Sequence, residues 1–167
     1  MEVLLEKLNS FHILTNLIPG TVFCAVFNNL LFNIFPNGES VADYFIFYSI
    51  GIIIGRIGSL IIEPICRKTK ILDHIPYNRF LLAEKEDIKI EALSETNFLY
   101  RSLLTVFILL IILFLLKKTC YNFIFLCEWR NIVLCICLSI LFFFSFKKQT
   151  QYIVNRTRYI NKNTNKD

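Results

Sequence analysis

The sequence predicts an all-α integral membrane protein with four transmembrane helices, an N-terminal interfacial helix and a cytoplasmic helical extension. Hydrophobic residues make up 55% of its 167 residues and charged residues only 19%, whereas soluble domains contain about 25% charged residues. The apolar residues occur in runs long enough to cross a bilayer. No Gly or Pro occurs from Tyr77 onward, so backbone chemistry breaks no helix in that half of the chain.

The first apolar stretch contains a Pro-Gly pair at residues 19 and 20. Residues 1–16 are predicted to form an interfacial amphipathic helix with leucines on one face. Pro19 suits the first turn of a second helix over residues 19–35, where a missing N–H is harmless. Those 17 residues are just enough to span the membrane. A single kinked helix that starts at Phe11 is the alternative interpretation.

Three further spans are predicted at residues 41–65, 97–116 and 131–146, and Pro64 is expected to end the first of these. The chain then divides into an interfacial helix, the first two spans, a cytoplasmic linker and helix, the last two spans and a basic tail: residues 1–16, 17–65, 66–96, 97–146 and 147–167.

The Lys and Arg residues predict the orientation of these spans. Residues 66–96 hold six of them and residues 147–167 hold another six, while the turn at 36–40 has none and the loop at 117–130 has three. Positive residues accumulate on the cytoplasmic side of a membrane. We therefore expect a multi-pass protein with both termini in the cytoplasm.

The cytoplasmic segments are rich in helix formers. Residues 77–96 could join the third span as one helix that ends at Leu116, and the tail could continue the fourth span. The charges of residues 77–96 sum to −2, whereas the tail is strongly positive. This complementarity favours packing of the two helices, either within one subunit or between subunits.

The second span carries a face of small residues. Gly51, Gly55 and Ser59 recur every four residues, and Gly58 lies beside them. Such a face lets another helix backbone approach closely. The pattern is consistent with packing inside the chain or between subunits.

Polar residues within or near the spans are the candidate functional residues. Arg56 and Glu63 lie two helical turns apart, with Ser59 between them, and Arg101 starts the third span. A charge inside a span costs at least about 2.5–3.5 kcal/mol. A Glu63–Arg101 ion pair is the simplest explanation. A polar ring around a pore or gate, or lipid headgroup binding by Arg56, are the functional alternatives.

The tail offers a candidate surface for a ligand or partner. Tyr152, Arg156 and Tyr159 follow helical spacing and form an aromatic–cation–aromatic stripe. Nucleobases stack on such aromatic groups while cations hold phosphates, although an interfacial or coiled-coil stripe has the same pattern. The full candidate surface is Lys147, Lys148, Tyr152, Arg156, Arg158 and Tyr159.

The sequence contains no enzyme signature. His12 and His74 lack the spacing of metal ligands, and no nucleophile elbow or phosphate-binding Gly loop occurs. We therefore expect no catalytic residue, no metal site and no cofactor. Cys120 and Cys127 lie in a predicted outer loop and could be a disulfide or two free thiols.

Three segments carry a resemblance to a known group of proteins. They are GRIGSLIIEP at residues 55–64, AEKEDIKIEALSETN at 83–97, and Tyr100-Arg101. Together with the overall plan, they resemble small multi-span membrane effectors of bacterial anti-phage defence systems. The Hailong membrane effector is the nearest of these and the Kiwa membrane subunit the second.

The resemblance implies an oligomeric channel that depolarises the bacterial inner membrane and arrests the infected cell. It also implies a partner nucleotidyltransferase, whose nucleotide or oligonucleotide product would control the channel through the cytoplasmic helices and tail. A non-conducting membrane adaptor or sensor that anchors a cytoplasmic partner is the alternative function.

Overall fold

The computed structural model describes residues 2–30, 33–72, 76–120 and 127–164. Of these, 89% are helical and none forms a strand, which confirms the all-α prediction. The helices are α1 (Glu2–Leu30), α2 (Val41–Ile57), a π-helical turn (Gly58–Ile62), α3 (Glu63–Lys68), α4 (Tyr77–Glu86), α5 (Ile88–Cys120) and α6 (Cys127–Thr164).

Helix α1 is continuous, so the expected break between residues 16 and 19 is wrong. Pro19 lies inside the helix and is fully buried. In an apolar environment the backbone has few partners outside its own helix, so a helix can continue through a proline that a soluble segment would use as a start. The separate interfacial helix over residues 1–16 is therefore not a distinct element.

Helices α2 and α3 form one rod through the π-helical turn. The rod starts at a capping box in which Ser40 and Asp43 satisfy each other's backbone N–H groups. It ends at Lys68, three residues beyond the predicted end. Pro64 does not end the helix because the wider turn before it re-routes the backbone bonds, with the Glu63 N–H bonded to the Gly58 carbonyl.

Helices α4 and α5 are separate, which corrects the expected single helix over residues 77–116. The backbone is extended at Asp87 (φ −139°, ψ 101°). Its side chain accepts a hydrogen bond from the Lys89 N–H at 3.0 Å. Asp87 thus caps the N-terminus of α5, a role for which Asp is strongly preferred.

Helix α6 continues from the apolar segment through the basic tail without a break. This confirms the predicted helical continuation of the fourth span. At 1.5 Å per residue its 38 residues are about 57 Å long, against roughly 30 Å for a bilayer core.

Helix α5 lies at the centre of the bundle. It packs against α6, α1 and α2. Helix α4 packs against both α6 and α5. Where α2, α5 and α6 meet, apolar side chains fill the middle of the bundle: Ile54, Val106, Phe107, Leu110, Phe114 and Cys135.

Three helical segments of the described chain are long and apolar enough to cross a membrane: Val41–Lys68, Lys89–Lys117 and Ile132–Lys162. The apolar part of α1, Ile13–Asn29, is shorter. A membrane protein is therefore supported, while a span formed by α1, and with it the total of four spans, stays a prediction.

Candidate functional site

The small-residue face of α2 packs inside the chain. A Cβ atom on Gly51 would lie 1.8 Å from the Asn16 carbonyl oxygen, and one on Gly20 would lie 1.8 Å from the Phe47 carbonyl oxygen. Helices α1 and α2 therefore cross backbone to backbone. Gly55 and Gly58 of the same face lie against α5 instead.

Glu63 links α3 to α5 through its carboxylate. It accepts one hydrogen bond from Arg67 of α3 and another from Arg101 of α5. The Glu63 and Arg101 side chains are only 21% and 14% exposed. The Arg101 guanidinium also lies 5.2 Å from the centre of the Phe98 ring. The Glu63–Arg101 pair suggested by the sequence is thus present within the chain.

Arg56 lies in a cleft between α1, α2 and α5. The cleft has a volume of about 550 Å³ and its wall contains two arginines, Arg56 and Arg101. The remaining lining residues are Ile13, Asn16, Tyr48, Ile52, Ser59 and Phe98. Among the side chains that the structure describes, none forms an ion pair with the exposed Arg56.

Ser59 directs its hydroxyl along its own helix. The hydroxyl donates to the Gly55 carbonyl at 3.3 Å and lies 3.4 Å from the Arg56 carbonyl. The four polar residues singled out from the sequence therefore come close together, since Arg56, Ser59 and Arg101 share the cleft and Glu63 pairs with Arg101.

A second cavity lies where the apolar bundle meets the α4 end of the molecule. It has a volume of about 340 Å³ and is lined by Glu63, Arg67 and Tyr77, among others. Nearby, the Thr150 hydroxyl of α6 donates to the Asn97 side chain at 3.1 Å. The Gln149 amide donates to the Leu93 carbonyl at 3.2 Å. Polar bonds thus join α5 to α6 at this level.

Beyond that cavity, α4, the start of α5 and the end of α6 form what we call the tail-side assembly. Arg156 of α6 pairs with Asp87 through a contact of 2.5 Å. Asn161 of α6 donates to the Arg79 carbonyl of α4 at 3.1 Å. Residues 77–96 and the oppositely charged tail therefore pack on each other within one chain, which is one of the two predicted arrangements.

Two carboxylates of the tail-side assembly have shifted pKa values. The hydrogen bond from Arg156, together with that from the Lys89 backbone, lowers the pKa of Asp87. Burial, and then the negative charge of Glu91, raise the pKa of Glu84. The assembly therefore holds one carboxylate that favours the charged form and one that resists it.

The candidate tail surface is only partly available. Tyr152 and Tyr159 are 53% and 68% exposed, and Lys148 lies 5.9 Å from the Tyr152 ring. Lys147 and Arg158 are also exposed. Arg156, the central cation of the predicted stripe, instead turns toward Asp87.

Several residues that line the cleft were not recognisable from the sequence. Asn16, Tyr48 and Phe98 carry no motif, and a single sequence does not show that they meet Arg56. Among the described residues no group of three His, Cys, Asp or Glu is placed to hold a metal ion. The possible disulfide between Cys120 and Cys127 lies outside the part of the chain whose side chains are described.

No protein family, no curated protein and no solved structure matches the chain.

Proposed function

We propose that the protein assembles into an oligomeric membrane channel that depolarises the membrane, and that a cytoplasmic ligand or partner gates it. The observation that carries this proposal is the continuity of α6. One helix of 38 residues holds both an apolar segment and the part that bonds to α4 and α5 in the tail-side assembly. A force or ligand that acts on the tail therefore acts directly on the membrane segment.

The centre of each protomer is filled with apolar side chains, so the conducting path must lie between protomers. Helix α6 has the largest free surface for such an assembly. Only 11% of its most apolar window is buried in the chain, compared with 33% for Val41–Lys68 and 44% for Lys89–Lys117. We place the subunit interface on α6, which leaves the cleft of Arg56 on the α1–α2 side of the protomer.

The ion-pair network of Glu63 would transmit the signal. It connects α3 and α5 at the edge of the apolar bundle, next to the polar bonds between α5 and α6. A shift of α6 relative to α5 changes the surroundings of this network. As the resemblance to anti-phage effectors implies, the proposed channel acts in phage defence in the bacterial inner membrane, with both termini cytoplasmic. Its proposed input is a partner nucleotidyltransferase and the nucleotide or oligonucleotide that this enzyme makes.

The conductance claim is tested with a voltage-sensitive dye in cells that express the chain. We compare the intact protein with a stop after Lys148, which removes the contacts of Arg156 and Asn161 with the tail-side assembly. We expect depolarisation, with a different extent in the truncated form at equal membrane abundance. An unchanged potential in both forms, and also during phage infection, contradicts the channel.

The interface claim has a natural reporter in α6. Cys137 is exposed and Cys135 is buried, so the two form a matched pair on one helix. In a background with Cys120 and Cys127 changed to Ser, oxidation of membranes should give a disulfide-linked dimer. The Cys137→Ser variant should abolish it, while Cys135→Ser should not. Monomer in both variants and in the parent would contradict an α6 interface.

A non-conducting adaptor is the second candidate function. The compact tail-side assembly favours it, because α4 and the end of α6 together present a surface beyond the apolar bundle. For an adaptor, the stop after Lys148 should abolish partner capture while the membrane potential never changes.

A further inference from the structure

The cleft of Arg56 has an excess of positive charge. Arg67 and Arg101 share the single carboxylate of Glu63. Arg56 adds a third guanidinium and has no carboxylate partner among the described side chains. Three positive groups therefore share one negative group. Two of the three, Arg56 and Arg101, line the cleft, and their charge favours an anionic ligand there.

The depth of Arg56 restricts what that occupant can be. Arg56 is the sixteenth residue of the rod that starts at Val41, so it lies about 22 Å along the rod at 1.5 Å per residue. A bilayer core is roughly 30 Å thick. Arg56 therefore lies in the leaflet nearest the tail-side assembly, where a long arginine side chain extends toward the headgroups.

The other walls of the cleft are amphipathic in a matching way. Tyr48 and Asn16 bring a hydroxyl and an amide to the polar part. Ile13 and Ile52 are 54% and 38% exposed and offer an apolar surface beside it. A ligand with a charged head and a hydrocarbon chain fits both parts at once, whereas a bare ion uses only the first.

We propose that this cleft binds the phosphate group of an anionic phospholipid from the tail-side leaflet. Arg56 and Arg101 hold the phosphate through charge-assisted hydrogen bonds, and the acyl chain lies against Ile13 and Ile52. Basic pockets between transmembrane helices are general sites for such headgroups. The excess positive charge disfavours a headgroup that carries its own ammonium. This inference needs only insertion in a bilayer and does not rest on channel activity.

The test measures thermal stability of the purified full-length protein in a neutral detergent. Three probes are titrated separately: phosphatidylglycerol, phosphatidylcholine and inorganic phosphate. We expect phosphatidylglycerol to raise Tm in a saturable manner and the other two to have little effect. In the Arg56→Gln variant the phosphatidylglycerol concentration at half effect should rise by about tenfold or more, because one bond to a charged group is lost.

Two further variants protect this result against misfolding and diffuse charge effects. Lys68→Gln removes one exposed positive charge outside the cleft and should leave the titration unchanged. Ile52→Trp keeps every charge but fills the cleft. It should raise the phosphatidylglycerol concentration at half effect, as Arg56→Gln does.

Three results overturn the proposal. Equal stabilisation by inorganic phosphate would mean a site for a soluble anion. Equal stabilisation by phosphatidylcholine would mean that headgroup charge is not recognised. An equal loss in Lys68→Gln would mean that general surface charge, and not the cleft, attracts the lipid.

Discussion

At the scale of residues, Gly20 and Gly51 determine how closely α1 and α2 approach, whereas Gly55 lies against α5. A Cβ on Gly51 would lie 1.8 Å from a backbone oxygen of α1, whereas one on Gly55 would lie 2.6 Å from the tip of the Phe98 ring. A ring can rotate away, but the backbone of a packed helix cannot move without separating the two helices.

We therefore predict that Gly51→Ala destabilises the protein severely, by about 4 kcal/mol or more, as backbone clashes in packed cores do. Gly55→Ala, with the same change in side chain, should cost much less. Thermal aggregation of the detergent-solubilised protein measures both. Equal Tm values for the two variants would show that α1 and α2 do not cross as described.

The Glu63–Arg101 pair gives a second prediction at this scale. Arg101→Met leaves Glu63 with Arg67 alone, in a site where Glu63 is 21% exposed. Removal of one partner from a fully buried pair costs roughly 3–5 kcal/mol, and residual exposure should make the cost here smaller. The double variant Glu63→Gln/Arg101→Met should recover part of the loss. A double-mutant cycle on Tm checks this, and strict additivity would contradict the pairing.

These residues were only partly predictable. The four-residue spacing of Gly51 and Gly55 indicated a close approach, and the depth of Glu63 and Arg101 indicated a pair. The partners of the glycines were not predictable, because Asn16 and Phe98 are ordinary residues whose proximity depends on how three helices pack.

At the scale of elements, Asp87 connects α4, α5 and α6. Its side chain caps α5 and pairs with Arg156, and these hydrogen bonds lower its pKa. A lowered carboxylate pKa means that the ionised form stabilises the folded state above the unfolded pKa. That contribution begins to fall when the pH drops below about 4, the ordinary pKa of Asp. It is lost as the pH falls through the lowered pKa of Asp87.

We predict that Asp87→Asn loosens the α4–α5 junction and removes this acid dependence, since Asn can still cap a helix but cannot form an ion pair. Asp87→Ala should loosen it further. Hydrogen exchange of the junction amides between pH 3 and 7, corrected for intrinsic rates, measures the effect. Glu39→Gln, at the opposite end of the bundle, is the control. An acid dependence that persists in Asp87→Asn would assign the titration to another group.

The helix boundaries show what the sequence lacked at this scale. Helix formers over residues 77–96 predicted helix correctly, yet they concealed the break, because one capping aspartate outweighs the propensity of its neighbours. The prolines, in contrast, predicted helix boundaries where the structure has continuous helix. Pro19 and Pro64 both lie within continuous helical rods, one at a tightly packed crossing and one after a π-helical turn.

At the scale of the whole molecule, the direction of the spans is a structural prediction that labelling can test. If α2, α5 and α6 each cross the membrane, then the turn after α1 and the end of α6 lie on opposite sides, whether or not α1 crosses. We predict that a membrane-impermeant maleimide labels Ser40→Cys in intact cells but labels Lys162→Cys only after lysis. Cys120→Ser and Cys127→Ser provide the background. Labelling of Lys162→Cys in intact cells would show that the orientation is the reverse of the predicted one.

Composition and the apolar runs sufficed to predict the all-α class, and the lack of Gly and Pro from Tyr77 onward sufficed to predict the continuation of α6 into the tail. The cleft of Arg56 could not be predicted, because its walls come from three helices that are distant in sequence. Similarly, opposite charges predicted that residues 77–96 meet the tail. Arg156 pairs with Asp87, so Arg156 does not take part in the ligand stripe that its spacing suggested.

The central claim is that the assembled protein conducts ions under control of its tail. The most direct measurement is current recording in planar bilayers that contain the purified full-length protein, beside the form that stops after Lys148. We predict discrete current steps, with an open probability that differs between the two forms. Silent bilayers for both forms, with insertion verified by protease protection and with an extract of phage-infected cells added on the tail side, would contradict the channel and favour the adaptor.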